Sequence, residues 1–282
     1  MATTTQNPPP ANPDPSPEPN PGEDQLNGKE MTFLEHLEEL RKRLLYSVYS
    51  LLISSGLCFW QAKRIYGILE RPLTATLTAL GKEHPDWHLT PKLVYTNPVD
   101  PFNLYIKLAI MCGVFLASPF ILYQLWLFIS PGLYRHEKKY VWPFVTLTSG
   151  LFIAGGVFAY ALAFPPALRF LVGYGDRFMP FITINEYWDL AISVIVAVGL
   201  VFELPIVILL LSLFGIVTPR FLWKNLRYAI LITAVVAAAI IPTNDFASIF
   251  IVWIPLVGLY VLSIGLSWLV YFKKRRRQQH EA

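Results

Sequence analysis

Runs of apolar residues without a charge alternate with short charged segments along this chain. Uncharged stretches cover residues 44–62, 108–134, 140–168, 228–244 and 246–272, and a further one, 190–219, is interrupted only by Glu203. A spanning helix needs about 20 apolar residues to cross about 30 Å of hydrocarbon. The pattern predicts an all-α polytopic membrane protein with six transmembrane helices, at about 44–62, 108–130, 141–166, 190–214, 228–241 and 247–271. The fifth is short: the 14 residues of 228–241 reach only about 21 Å at ~1.5 Å per residue. It counts as a crossing because the basic segments before it and after the sixth run need an even number of crossings between them, and a helix this short tends to thin the bilayer. Pro119, Pro143, Pro165, Pro166, Pro205 and Pro255 fall inside these runs. Each removes a backbone donor and tends to kink its helix, so a curved bundle is expected.

The flanks differ. Residues 1–30 are rich in Pro, Asn, Asp and Thr and nearly devoid of apolar side chains. Such a segment cannot bury enough surface to offset its ordering entropy, so a disordered cytoplasmic tail is expected. It lacks the basic start and apolar core of a signal peptide. The membrane domain is expected over 31–272 and a basic cytoplasmic tail over 273–282.

Lysine and arginine set the orientation. One side receives Arg41, Lys42 and Arg43, then Arg135, Lys138 and Lys139, then Arg220, Lys224 and Arg227, then the run 273–277. The opposite side receives fewer, spread over the longer loops 63–102 and 169–189, and none in the turn 242–245. The basic side is cytoplasmic, which places both termini inside and leaves the long outer loops to form a cap. Residues 65–80 in the first of them look amphipathic and are broken by Pro72. Trp60, Trp126, Trp142, Trp188, Trp223, Trp253 and Trp268 lie near span ends, as interfacial belts do.

Composition agrees. Hydrophobic residues make up 54% of the chain, above the soluble range of about 45–50%. The net charge of +4 comes from basic residues between apolar runs rather than on one soluble face, which excludes nucleic-acid binding. Cys58 and Cys112 both lie in apolar runs and read as small hydrophobes, neither disulfide partners nor metal ligands.

Four places could carry chemistry. In Thr32-Phe-Leu-Glu35-His36-Leu-Glu38-Glu39-Leu-Arg41-Lys42-Arg43, Thr32 and Glu35 fit a capping box. Phe33, Leu37, Leu40 and Leu44 form an apolar stripe, with the acids off it. These acids read either as a solvated face with weak i,i+4 pairs or as a binding surface. In Pro131-Gly-Leu-Tyr-Arg-His136-Glu137-Lys-Lys139, Glu137 is a single acid among basic residues, serving local charge balance or a ligand. His136-Glu137 is not a zinc-protease motif, because Tyr140 stands where the second histidine belongs. Glu203, in Phe202-Glu-Leu-Pro205, is a carboxylate in an apolar span, where such residues face a cavity, a partner or a pathway. Asp245 follows Pro242-Thr-Asn and is placed to cap the next helix. No phosphate loop, nucleophile dyad or metal set is present, so neither an enzyme nor a cofactor is expected. On the residues alone, a proton-coupled secondary transporter of a small solute using Glu203 is the alternative to a receptor.

Four stretches resemble the TatC family, the receptor subunit of the twin-arginine protein translocase. They are His36 to Arg43; Ser118-Pro-Phe-Ile-Leu-Tyr-Gln-Leu-Trp-Leu-Phe128 continuing into Ser130 to Glu137; Phe202 to Pro205; and Pro242 to Asp245 with Ile254-Pro255. The resemblance covers about 31–272. It implies recognition of twin-arginine signal peptides on folded cargo, six spans with both termini inside, and location in the bacterial cytoplasmic membrane. It also implies single-span TatA/TatB-type partners, homo-oligomerisation within a complex, and contact with lipid. For the site it implies Glu39 and Glu137 holding the arginine pair, with Arg41, His136 and Phe128 beside them. Glu203 is then an intramembrane polar site, while Asp245 and Pro72 serve structure or function on the outer side. Ile249 and Asn97 stand where the family has a commonly polar residue and an occasional acid.

Overall fold

The computed structural model describes residues 33–85, 92–129, 141–175, 178, 181–241, 243 and 245–280. Two compact units divide the chain, Met1–Arg41 and Lys42–Ala282. The described part of the first is the opening of α1.

The helices are α1 (Phe33–Trp60), α2 (Ala62–Leu69), α3 (Arg71–Glu83), α4 (Asp100–Ile129), α5 (Val141–Phe158), α6 (Phe164–Gly173), α7 (Ile184–Val201), α8 (Leu204–Leu213), α9 (Pro219–Lys224), α10 (Leu226–Ile240) and α11 (Phe246–His280). Among the described residues the sole extended pairing is a parallel bridge between Val94 and Thr183.

Among the described residues, four helices or broken helices are long and apolar enough to cross a bilayer by themselves. They are α4 with 30 residues, Trp142–Gly173 with 32, Ile184–Leu213 with 30, and Phe246–Leu269 of α11 with 24. α1 qualifies only together with α2 and α3, across a 78° bend. Tyr46, Ser47, Tyr49, Ser50, Ser54 and Ser55 dilute its apolar half. α10 has 15 residues, about 22 Å at ~1.5 Å per residue.

Lipid gives helices no hydrophobic reason to associate, so close approach at small residues and a few polar contacts must hold them. α1 and α4 show both. The Ser54 hydroxyl donates to the Gly113 carbonyl at 3.0 Å, and Arg43 Nη1 donates to Gln124 Oε1 at 3.3 Å. Both partners shift by eleven positions in opposite directions, so the helices run antiparallel in one register. A Cβ on Gly113 would lie 2.9 Å from the Ser55 Cα, which leaves room for hydrogen alone. On its other side α4 meets α5 through Phe115 stacked on Phe152 (4.6 Å) and Trp126 against Phe144 (4.0 Å). α5 meets α7 where a Cβ on Gly155 would sit 2.7 Å from the Phe202 ring.

The prolines act at breaks as well as within helices. Pro119 and Pro255 stay inside α4 and α11. Pro165 and Pro166 instead follow a π-helical turn, Ala159–Ala163, between α5 and α6. Each proline lacks the N–H for its i−4 carbonyl and its ring crowds that carbonyl; a wider turn relieves both. Pro205 follows the break at Phe202 and Glu203 between α7 and α8 for the same reason. Pro72, read from sequence as interrupting one amphipathic stretch, begins α3, where the missing N–H costs nothing.

Among the described residues, two apolar clusters form the core of the second unit. The larger joins α3, α4, α6 and α7 around Leu73, Leu108, Phe164, Trp188 and Val198. The smaller joins the π turn and α6 to α10 and α11 through Ala163, Ala167, Ala237, Ile241, Val252 and Leu256. At the end of the bundle that holds α2 and α3, Asp100 is a buried hub. It accepts from the Asn97 amide at 2.9 Å, the Thr96 amide at 3.2 Å and Asn185 Nδ2 at 2.9 Å. Arg169 pairs with Glu83 at 2.5 Å and the Tyr160 hydroxyl donates to the Ile68 carbonyl at 2.6 Å, fastening α3 and α2 over the bundle.

Candidate functional site

Glu39 lies in the opening of α1, half-buried, and Arg41 two positions on is exposed. Phe128 is half-buried in the last turn of α4. His136 and Glu137 lie outside the described residues, in the segment between Ile129 and Val141.

The ends from which that segment hangs are well braced. Tyr123 stacks on Trp142 at 5.9 Å and Trp126 packs on Phe144 at 4.0 Å, which holds the end of α4 to the start of α5. Between those two residues, Gln124 turns the other way and bonds Arg43 of α1. Gln124 is 5% exposed. A buried amide without a partner is costly, so its position against a guanidinium has a clear physical reason. The start of the second unit's α1 and the end of α4 therefore share one end of the bundle.

Glu203 sits in the two-residue break between α7 and α8. Its backbone carbonyl accepts from the Ile206 and Val207 amides at 3.0 and 3.1 Å. Its side chain makes no capping bond to α8. One carboxyl oxygen, Oε1, is shut off from solvent and has no hydrogen-bond partner among the described residues. Its neighbours in sequence are committed: Phe202 packs on Phe158 at 5.6 Å, and Val201 and Leu204 border the smaller apolar cluster.

Asp245 caps α11. It accepts from the Ala247 amide at 3.2 Å, the Ser248 amide at 2.9 Å and the Ser248 hydroxyl at 2.8 Å. The Ser248 hydroxyl and amide, with the Ala247 amide, hold its carboxyl below the ordinary carboxylate range. Pro72 lies in α3, which packs against α6.

Sequence reasoning assigned no role to Gln124, Asp100 or the pair Lys107–Asp189, whose side chains meet at 2.5 Å between α4 and α7. A lone amide in an apolar run was the available signal for Gln124, but an uncharged residue gives no partner to look for. Among the described residues no group of three His, Cys, Asp or Glu could hold a metal ion.

Comparison with known proteins assigns the frame. Residues 35–255 match the family described as Sec-independent protein translocase protein (TatC). The Sec-independent protein translocase protein TatC of Koribacter versatilis is 46% identical over 266 residues, covering 94% of this chain and 95% of the relative. Those of Carboxydothermus hydrogenoformans and Aquifex aeolicus are 38% and 37% identical, over 86% and 88% of this chain and 95% and 100% of their own lengths. A crystal structure of the twin arginine translocase receptor TatC superposes with a TM-score of 0.66 at 36% identity, covering 84% of this chain and all of that one. A second, in the detergent DDM, gives 0.67 at 37% identity, covering 83% of this chain and 99% of that one. These matches displace the solute-transporter alternative. This chain is a multi-pass membrane protein and belongs to the TatC family of Sec-independent protein translocase proteins.

Proposed function

We propose that this TatC-family protein is the receptor that binds twin-arginine signal peptides of folded cargo and takes part in carrying that cargo across the bacterial cytoplasmic membrane. In this reading it crosses the bilayer six times, with α10 as the short fifth span and both termini in the cytoplasm. The segments 1–30 and 273–282 are its cytoplasmic tails. It works with single-span TatA/TatB-type subunits and further copies of itself.

The recognition chemistry is electrostatic. A face crowded with lysine and arginine repels an arginine pair unless carboxylates stand in it, and Glu39 and Glu137 supply them. Guanidinium makes paired, planar bonds to carboxylate, a geometry lysine cannot copy. Two unit charges about 4 Å apart at an effective dielectric near 20 interact by about 4 kcal/mol before desolvation. Arg41, His136 and Phe128 flank the acids, and Glu203 offers a polar contact deeper in the membrane.

The observation that supports this reading is the Arg43–Gln124 bond. It ties α1, next to the motif that holds Glu39, to α4 five residues before the chain leaves for the segment of Glu137. The test is photo-crosslinking from position 137 to a twin-arginine peptide. Capture of that peptide, and not of a twin-lysine control, is expected; equal capture of both would overturn the assignment.

A further inference from the structure

We propose that α8, α9 and the part of α11 beyond Pro255 form one arm that swings as a unit against the rest of the bundle. The inference is drawn from the fold and stands apart from the receptor reading.

The arm is held together from within. α8 packs chiefly on α11, and the Ser212 and Ser267 hydroxyls meet at 2.6 Å between them. The Tyr260 hydroxyl donates to the Leu222 carbonyl at 3.0 Å, which fastens α9 to the same stretch of α11. Three places join this arm to the rest of the chain, and each interrupts a helix or its ladder of hydrogen bonds. The first is the break at Phe202 and Glu203. There the Glu203 amide donates three residues back, to Leu200, at 3.1 Å, and Pro205 has no N–H for the Val201 carbonyl. The second is Asn225, which closes α9 and opens α10 and belongs to neither. The third is Pro255, which denies the Ile251 carbonyl its donor inside α11. The first and third joints lie together: Val201 and Leu204, on either side of the first, pack in the same apolar cluster as Val252 and Leu256, on either side of the third. Paired breaks at one place are what a hinge needs, because a few residues must absorb the whole change of angle.

The body opposite the arm is braced across its helices. α7 packs on α4 and α5. Asn185 of α7 donates to Asp100 of α4 at 2.9 Å, and Ser54 of α1 donates to the Gly113 carbonyl of α4 at 3.0 Å. Glu203 lies in the first joint, so the angle of the arm sets how closely its buried oxygen is enclosed.

The experiment uses the full chain in nanodiscs, with Cys58→Ala and Cys112→Ala removing the native thiols. Spin labels on introduced cysteines at exposed positions are read by double electron–electron resonance. Leu125→Cys near the end of α4 is paired with Ile216→Cys beyond α8, and separately with Leu269→Cys on α11. Thr78→Cys on α3 with Phe246→Cys at the start of α11 reports on the body alone. Both arm-to-body distance distributions should be about twice as wide as that of the body pair. Pro205→Ala returns an N–H to the Val201 carbonyl and removes the crowding ring, so it should narrow both and leave the body pair unchanged. Arm-to-body distributions as narrow as the body pair, or equal breadth in all three because the whole bundle is loose, would overturn the hinge. Breadth at position 216 without breadth at 269 would mean that α8 moves alone and would overturn the unit. No narrowing in Pro205→Ala would overturn the first joint as pivot.

Discussion

Arg43 and Gln124 meet at 3.3 Å although 81 positions separate them in sequence. The bond sits at one end of the α1–α4 contact, and Ser54 on the Gly113 carbonyl sits eleven positions later on α1 and eleven earlier on α4. Two polar contacts at matched spacing define an antiparallel register that apolar side chains in lipid would leave loose.

The acids of the proposed site should behave as a pair. Glu137→Ala and Glu39→Ala are each expected to weaken twin-arginine peptide binding about 10- to 100-fold, as loss of a charge-assisted contact does. Membrane insertion should be unaffected. Peptide titration of the purified variants measures this, and unchanged affinity in Glu137→Ala removes that residue from the site.

Glu203 has a buried oxygen with no hydrogen-bond partner among the described residues. A group of this kind awaits a hydrogen-bonding partner, and an amide can meet the same need without charge. Glu203→Gln should keep most cargo transport, while Glu203→Ala and Glu203→Leu lose it. Export of a reporter cargo ranks the three, and a Leu variant equal to wild type would eliminate the site.

Asp245 anchors the first turn of α11. Its carboxyl is held below the ordinary carboxylate range by Ser248 first and Ala247 second. A lowered native value means its contribution is complete above the ordinary carboxyl range and fades as pH falls through the native value. The gap in melting temperature between wild type and Asp245→Ala should be full at neutral pH and close in acid. A gap that persists unchanged into strong acid contradicts the cap.

Gly113 and Gly56 make a matched comparison. A Cβ on Gly113 meets the Ser55 backbone at 2.9 Å, whereas one on Gly56 meets nothing within 4 Å. Gly113→Ala should destabilise by about 1–3 kcal/mol through overpacking. Gly56→Ala should be neutral or slightly stabilising, since alanine favours a helix. Thermal unfolding in detergent separates them; equal effects would mean that α1 and α4 are not in close contact there.

The helical, multi-pass character was legible because charge-free runs of spanning length have no other home than lipid. The breaks were partly legible. Pro165, Pro166 and Pro205 marked them, yet only the folded chain shows whether a proline stays inside a continuous helix, as Pro119 and Pro255 do, or lies in the first turn of a new one. Motif residues such as Glu39, Glu137 and Glu203 stood out because a carboxylate among cations or in an apolar run has an evident cost. Gln124 and Asp100 did not stand out. A neutral amide costs little by itself, and a carboxylate at a helix start looks like a cap. Their importance lies in partners at positions 43 and 185, which no local spacing points to.

The π turn at Ala159–Ala163 has a further consequence. One extra residue in a turn rotates everything beyond it by roughly 100°. Before the turn, α5 lies against α4; after it, α6 lies against α3. A single rod with uniform pitch would offer one stripe to both neighbours. Here the two halves carry stripes out of phase, so deleting Ala161 would bring the stripes into phase and aim Phe164 and Leu168 away from the cluster they share with Trp188.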